Sequence, residues 1–149
     1  MENKQIESNS EEETVKHGRE FAGRLVLGDV VSLYGELGAG KTNFVKGICD
    51  YFDVDEMITS PTFTIINQYN GTKDDENIII LHIDLYRMKS EAELNSIGFH
   101  EILESDDAIK IIEWAEKSFG NLNGIGYKVR IKPDEIDENK RFIEIEMKK

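Results

Sequence analysis

The residues with most chemistry to offer stand together in one short stretch. Gly35-Glu36-Leu37-Gly38-Ala39-Gly40-Lys41-Thr42 has the spacing of a phosphate-binding loop, a glycine followed at a fixed interval by Gly-Lys-Thr. Glycines let the backbone curl so that successive N–H groups point at one anion. A helix that follows turns its positive end towards the same anion. Lys41 is a compact cation suited to β- and γ-phosphates. The Thr42 hydroxyl is a hard oxygen donor suited to Mg2+. Val30–Tyr34 reads as the strand before the loop and Thr42–Phe52 as the amphipathic helix after it. That setting favours a nucleotide site over a glycine turn carrying a solvated lysine.

A phosphate cradle needs an acid on a neighbouring strand. Two candidates end apolar runs, Asp84 after Ile78-Ile-Ile-Leu-His-Ile83 and Glu113 after Ile109-Lys-Ile-Ile112. In an open α/β sheet the C-terminal strand ends line the ligand crevice, so both acids can face one site. One is then available for the metal, directly or through water, and the other for orienting the attacking water. Capping of the following helix is the competing role for each. Ser60-Pro61-Thr62 lies where P-loop hydrolases carry a hydroxyl that senses the γ-phosphate, although the tripeptide by itself is turn chemistry. His82, alone among apolar neighbours, is expected to be a hydrogen-bonded core imidazole rather than a metal ligand. Trp114 is open between core aromatic and stacking platform. Tyr86 and Arg87 are open between partner contacts and pairing with nearby acids.

Several elements must position these groups. Ser10 and Glu13 have capping-box spacing, which predicts a helix to about Gly23. Phe63–Tyr69 reads as a strand with Asn70-Gly71 as the turn after it. Ile78–Ile83 and Ala108–Ile112 read as buried strands. Ser90 and Glu93 open a short helix that Gly98 ends, and Phe99–Glu104 forms another. Tyr127–Lys132 and Ile143–Met147 alternate apolar with polar residues, which predicts a half-exposed strand pair joined through Pro133–Lys140. The fold expected is one domain over residues 1–149, α/β, three-layered and P-loop-like. Its sheet is mostly parallel, with an antiparallel C-terminal edge hairpin.

Apolar residues make up 39% and charged residues 32% of the 149, which suits a globular chain rather than a disordered one. No run approaches the ~20 apolar residues of a membrane span, and the first residues, with no apolar core behind a basic start, are not expected to act as a secretory signal. A single cysteine, Cys49, gives neither an internal disulfide nor zinc-ligand spacing. A cytoplasmic location with no membrane partner is expected. The net charge of −12 opposes direct contact with nucleic acid, whose phosphates attract basic stripes.

Four motifs occur together: Gly35-Glu-Leu-Gly-Ala-Gly-Lys-Thr42, Ser60-Pro-Thr-Phe63, His82-Ile-Asp-Leu-Tyr-Arg87 and Ile112-Glu-Trp-Ala-Glu116. In order and spacing the chain resembles the TsaE (YjeE) family from about Thr14 to its last strand. The resemblance implies a bacterial ATPase, slow on its own, that binds ATP and Mg2+. It implies a task in forming threonylcarbamoyl-adenosine in tRNA with the partners TsaB and TsaD, where ATP turnover resets the complex and tRNA is reached only through it. By the same resemblance Lys41 and the amides of Glu36, Leu37, Gly38, Ala39 and Gly40 hold phosphates. Thr42 and Glu113 match magnesium positions. Asp84 matches a Walker B-like aspartate acting through water or as a base, and Thr62 a switch-like threonine. Thr14 and Trp114 match positions beside the nucleotide, and Lys140 or Arg141 a basic residue near the last hairpin. Asn43 stands where the family often has threonine, its amide still able to donate towards the α-phosphate. Ala115 replaces a common proline.

Two other classes compete. A small-molecule kinase would need clustered arginines and a lid, whereas Arg19, Arg24, Arg87, Arg130 and Arg141 are scattered. A pure binding module would not need both Asp84 and Glu113. No Asn-Lys-x-Asp motif supports a GTP preference.

Overall fold

Ser10 opens the first helix as its spacing predicts: its side chain accepts from the N–H of Glu13, and the carboxylate of Glu13 accepts from the N–H of Asn9 at 2.6 Å. A computed structural model of the chain describes residues 3–36, 38–59, 65–122 and 126–147. In chain order its elements are β1 (Asn3–Ser8), α1 (Glu11–Ala22), β2 (Val30–Tyr34), α2 (Lys41–Tyr51), β3 (Ile66–Lys73) and β4 (Glu76–Asp84). They continue with α3 (Glu91–Ser96), α4 (Phe99–Glu104), β5 (Ala108–Glu113), β6 (Tyr127–Pro133) and β7 (Arg141–Met147).

One seven-stranded sheet runs β1-β7-β6-β2-β5-β4-β3. The inner strands β6, β2, β5 and β4 are mutually parallel, whereas β7 and β1 on one side and β3 on the other are antiparallel to their neighbours. This is the mixed α/β sheet expected, with β1 as a further strand outside the C-terminal hairpin. Alternation along the strands splits the apolar residues between two cores. Leu33, Ile80 and Ile111 pack with Phe21 of α1 and Phe44 and Ile48 of α2. Val30, Ile83 and Ile112 pack on the opposite face with Leu94 of α3 and Phe99 of α4. Each such side chain, once buried, contributes about 1.5–3 kcal/mol. Three layers result.

The helix pair depends on two glycines. A Cβ on Gly18 would stand 2.2 Å from the Phe44 carbonyl oxygen, and one on Gly47 would stand 2.0 Å from that of Val15. Only hydrogen fits between those backbones, so α1 lies close against the helix that carries Lys41 and Thr42.

Two expectations need correction. Asn70-Gly71 is not a turn: both residues lie within β3, paired with Ile79 and Ile78. Gly71 is needed there because a Cβ would stand 2.6 Å from the carbonyl oxygen of Phe52, which accepts from the N–H of Thr72 at 2.7 Å. The reversal comes at Asp74 and Asp75, both left-handed (φ 52° and 66°), the conformation a tight hairpin demands. The strand expected from Phe63 begins, among the described residues, at Ile66, with Phe63 itself outside them. Strand β1 has no signal in the sequence pattern. Its residues are polar apart from Ile6, which pairs with Ile143. No helix among the described residues is long and apolar enough to cross a membrane.

Candidate functional site

The loop between β2 and α2 folds as a tight cradle. The N–H of Ala39 donates to the Glu36 carbonyl, Gly38 and Gly40 take left-handed conformations (φ 79° and 106°), and Gly40 caps α2. At Gly35 a Cβ would approach the Ile131 carbonyl of β6 to 2.7 Å, so the loop is pinned against the sheet. Lys41 is nearly buried at 6% exposure, and its Nζ donates to the Gly35 carbonyl at 2.7 Å. The same Nζ lies 4.3 Å from the centre of the Trp114 ring. Thr42 and Asn43, half-buried, occupy the first turn of α2, whose unpaired N–H groups carry its positive end.

The two acids meet at the same sheet edge. Asp84 ends β4 and Glu113 ends β5, opposite one another in the parallel register, and Glu113 also faces Leu33 of β2. Alternation puts both on the face that carries α2. Both are almost fully buried, at 1% and 2% exposure. An Asp84 oxygen accepts from the N–H of Tyr86 at 2.8 Å, so this aspartate also caps the turn that follows it. Glu113 Oε2 lies 2.5 Å from His82 Nε2. His82 is the core imidazole expected, its Nδ1 lying 3.3 Å from the Tyr69 hydroxyl. Burial pushes the Tyr69 phenol above its ordinary range, so the group stays protonated and keeps its donor.

Trp114 is half-buried, its ring centre 4.9 Å from that of Tyr86. Its backbone is left-handed (φ 56°, ψ 44°), an uncommon state for a bulky residue, and this bend directly follows Glu113. On the other flank of the loop, Thr14 shares a small pocket with Gly38, Gly40, Asn43 and Arg141. The Thr14 hydroxyl is already engaged by Ser8 Oγ at 2.7 Å and the Ser10 carbonyl at 3.3 Å. Its methyl is the part nearest Gly40. Of the two basic residues left open, Arg141 reaches the loop. Its Nε donates to the Ala39 carbonyl at 3.0 Å and its Nη2 to that of Gly38 at 3.3 Å. Lys140 instead pairs with Glu7 at 3.6 Å. The carbonyls of Gly38 and Ala39 are thus held by a cation. Leu37 and Thr62 lie outside the described residues.

The fold brings the glycine loop, both acids and the tryptophan, all expected from the sequence, into one region together with Thr14. Tyr69 carried no signal in the sequence. It lies 13 residues from His82, and only the β3–β4 pairing joins them.

A family model described as threonylcarbamoyl adenosine biosynthesis protein TsaE matches residues 8–143. The chain belongs to the TsaE family. A TsaE from Rickettsia conorii is 39% identical over 138 residues, covering 92% of this chain and 74% of its own. One from Bacillus subtilis is 41% identical over 88 residues, 59% of this chain and 51% of its own. Both are named tRNA threonylcarbamoyladenosine biosynthesis proteins. The crystal structure of Bacillus subtilis YdiB superposes with a TM-score of 0.80 at 28% identity, covering 99% of this chain and 87% of that one.

Proposed function

We propose that this TsaE-family protein binds and hydrolyses Mg·ATP and, with TsaB and TsaD, supports threonylcarbamoyl-adenosine formation in tRNA by resetting the transferase complex. The observation that carries the reading is the meeting of a glycine cradle and its lysine with two buried carboxylates at adjacent strand ends on one face. The donors suit the ligand. Thr42, Asp84 and Glu113 offer hard oxygens, which Mg2+ favours. Among the described residues no three His, Cys, Asp or Glu side chains gather into a cage of their own. That fits Mg2+, which is commonly held by one or two protein oxygens together with substrate phosphates.

In this reading the loop amides and Lys41 bind phosphate oxygens, with Lys41 exchanging its Gly35 carbonyl for them. Thr42 and Glu113 hold the cation, Asp84 acts through water or as the base, and Thr62 senses the γ-phosphate. Trp114 closes over Lys41 and limits the access of water. Bound Mg2+ neutralises charge developing on the transferred phosphoryl group. Family membership and the names of the relatives support the tRNA-modification role. The strongly acidic chain is better suited to reaching tRNA through partners than by itself.

The test is phosphate release by the purified chain with Mg·ATP, alone and with TsaB and TsaD. Slow turnover that the two partners together accelerate is expected. Unchanged turnover in their presence overturns the resetting role, and failure to bind Mg·ATP overturns the whole reading.

A further inference from the structure

Glu113 is one end of a hydrogen-bonded series that crosses three strands. From Glu113 Oε2 the series runs 2.5 Å to His82 Nε2, then 3.3 Å from His82 Nδ1 to the Tyr69 hydroxyl. The Tyr69 oxygen also lies 3.2 Å from the Thr59 carbonyl, a second acceptor in reach of its one proton, and accepts from the Asn67 amide at 3.4 Å. His82 is fully buried, the Glu113 side chain is 3% exposed and Tyr69 3%. Both ring nitrogens of His82 are engaged, so the imidazole is no ligand itself.

A buried carboxylate without a partner is strongly disfavoured, and a carboxylate meant to receive a cation must also be held in one rotamer. An imidazole N–H does both, because it takes one of about four lone-pair positions and leaves the others able to accept. The imidazole can do so only if its own ring is oriented, and Tyr69 supplies that from the neighbouring strand. We propose that His82, held in place by Tyr69, is a positioning residue that presets the Glu113 carboxylate for a divalent cation bound with nucleotide. The proposal rests on the reading of Glu113 as a metal position.

The test uses the full chain with ADP and Mn2+, following bound Mn2+ by electron paramagnetic resonance. Affinity for a fluorescent ADP in EDTA is measured in parallel. Three variants separate positioning from packing. Tyr69→Phe removes a hydroxyl alone, His82→Gln returns an N–H near the ring Nε2 position, and His82→Leu fills the volume without a donor. Tyr69→Phe and His82→Leu are expected to weaken Mn2+ binding about tenfold. Their EDTA affinities should stay within about twofold of the parent, since a group acting through Glu113 alters the metal-dependent part of binding. His82→Gln should recover most of the Mn2+ affinity. Should His82→Leu fail to fold, Tyr69→Phe carries the same expectation.

Wild-type Mn2+ affinity in Tyr69→Phe overturns the proposal. So does a fall in EDTA affinity in step with the Mn2+ loss, the pattern of general core damage. Wild-type protein that binds nucleotide in EDTA but no Mn2+ overturns the metal reading of Glu113 and the proposal with it. Binding of neither ligand overturns the functional reading itself.

Discussion

Lys41 donates inside its own loop, to the Gly35 carbonyl, and lies over the Trp114 ring. In the proposed function a triphosphate replaces that neutral acceptor with charged oxygens, and charge-assisted bonds are worth about 1.5–3 kcal/mol. Lys41→Ala is therefore expected to weaken Mg·ATP binding at least about tenfold by calorimetry, and unchanged affinity would remove Lys41 from the site. The legibility of such residues followed distance along the chain. Lys41 and Thr42 were readable because the loop motif is local, and Asp84 and Glu113 because each ends an apolar run. The contact between Arg141 and Ala39 spans 102 residues, and that between His82 and Glu113 spans 31. No local pattern encodes such pairs. They exist only once the strand order is set.

At the scale of elements, the contact between α1 and α2 rests on Gly47 and Gly18. Gly47→Ala places a methyl 2.0 Å from the Val15 carbonyl oxygen, and backbone on that side has no rotamer to yield. Unfolding in urea should show a loss of about 1–3 kcal/mol or more, the range for overpacked interiors. A stability equal to that of the parent would mean the helices separate without penalty. Caps and apolar runs made most elements readable in advance. Ser10, Ser90 and Gly98 sit where their chemistry placed them, and Phe99–Glu104 is the second short helix. The misreadings share a cause, since tertiary packing overrode local preference. Asn70-Gly71 has turn composition, yet the end of α2 presses on Gly71 and holds it in a strand. Strand β1 has almost no apolar pattern because it is an edge strand that leans on β7 for its hydrogen bonds.

The molecule as a whole carries a net charge of −12, and at long range that field repels polyanions. Isolated protein is accordingly expected to bind tRNA weakly in filter-binding or gel-shift measurements at moderate salt. Tight binding that falls steeply with added salt would reveal a basic surface strong enough to overcome the field. The sheet order carries a different consequence, one of timing. Strand β7, last in chain order, is inserted between β1, the first, and β6, with Asn3 opposite Glu146. A growing polypeptide holds β1 without its neighbour until β7 has been made. It also lacks Arg141, the cation that grips the loop carbonyls. A chain interrupted before β7 leaves the facing edges of β1 and β6 open to other chains and the carbonyls of Gly38 and Ala39 without Arg141.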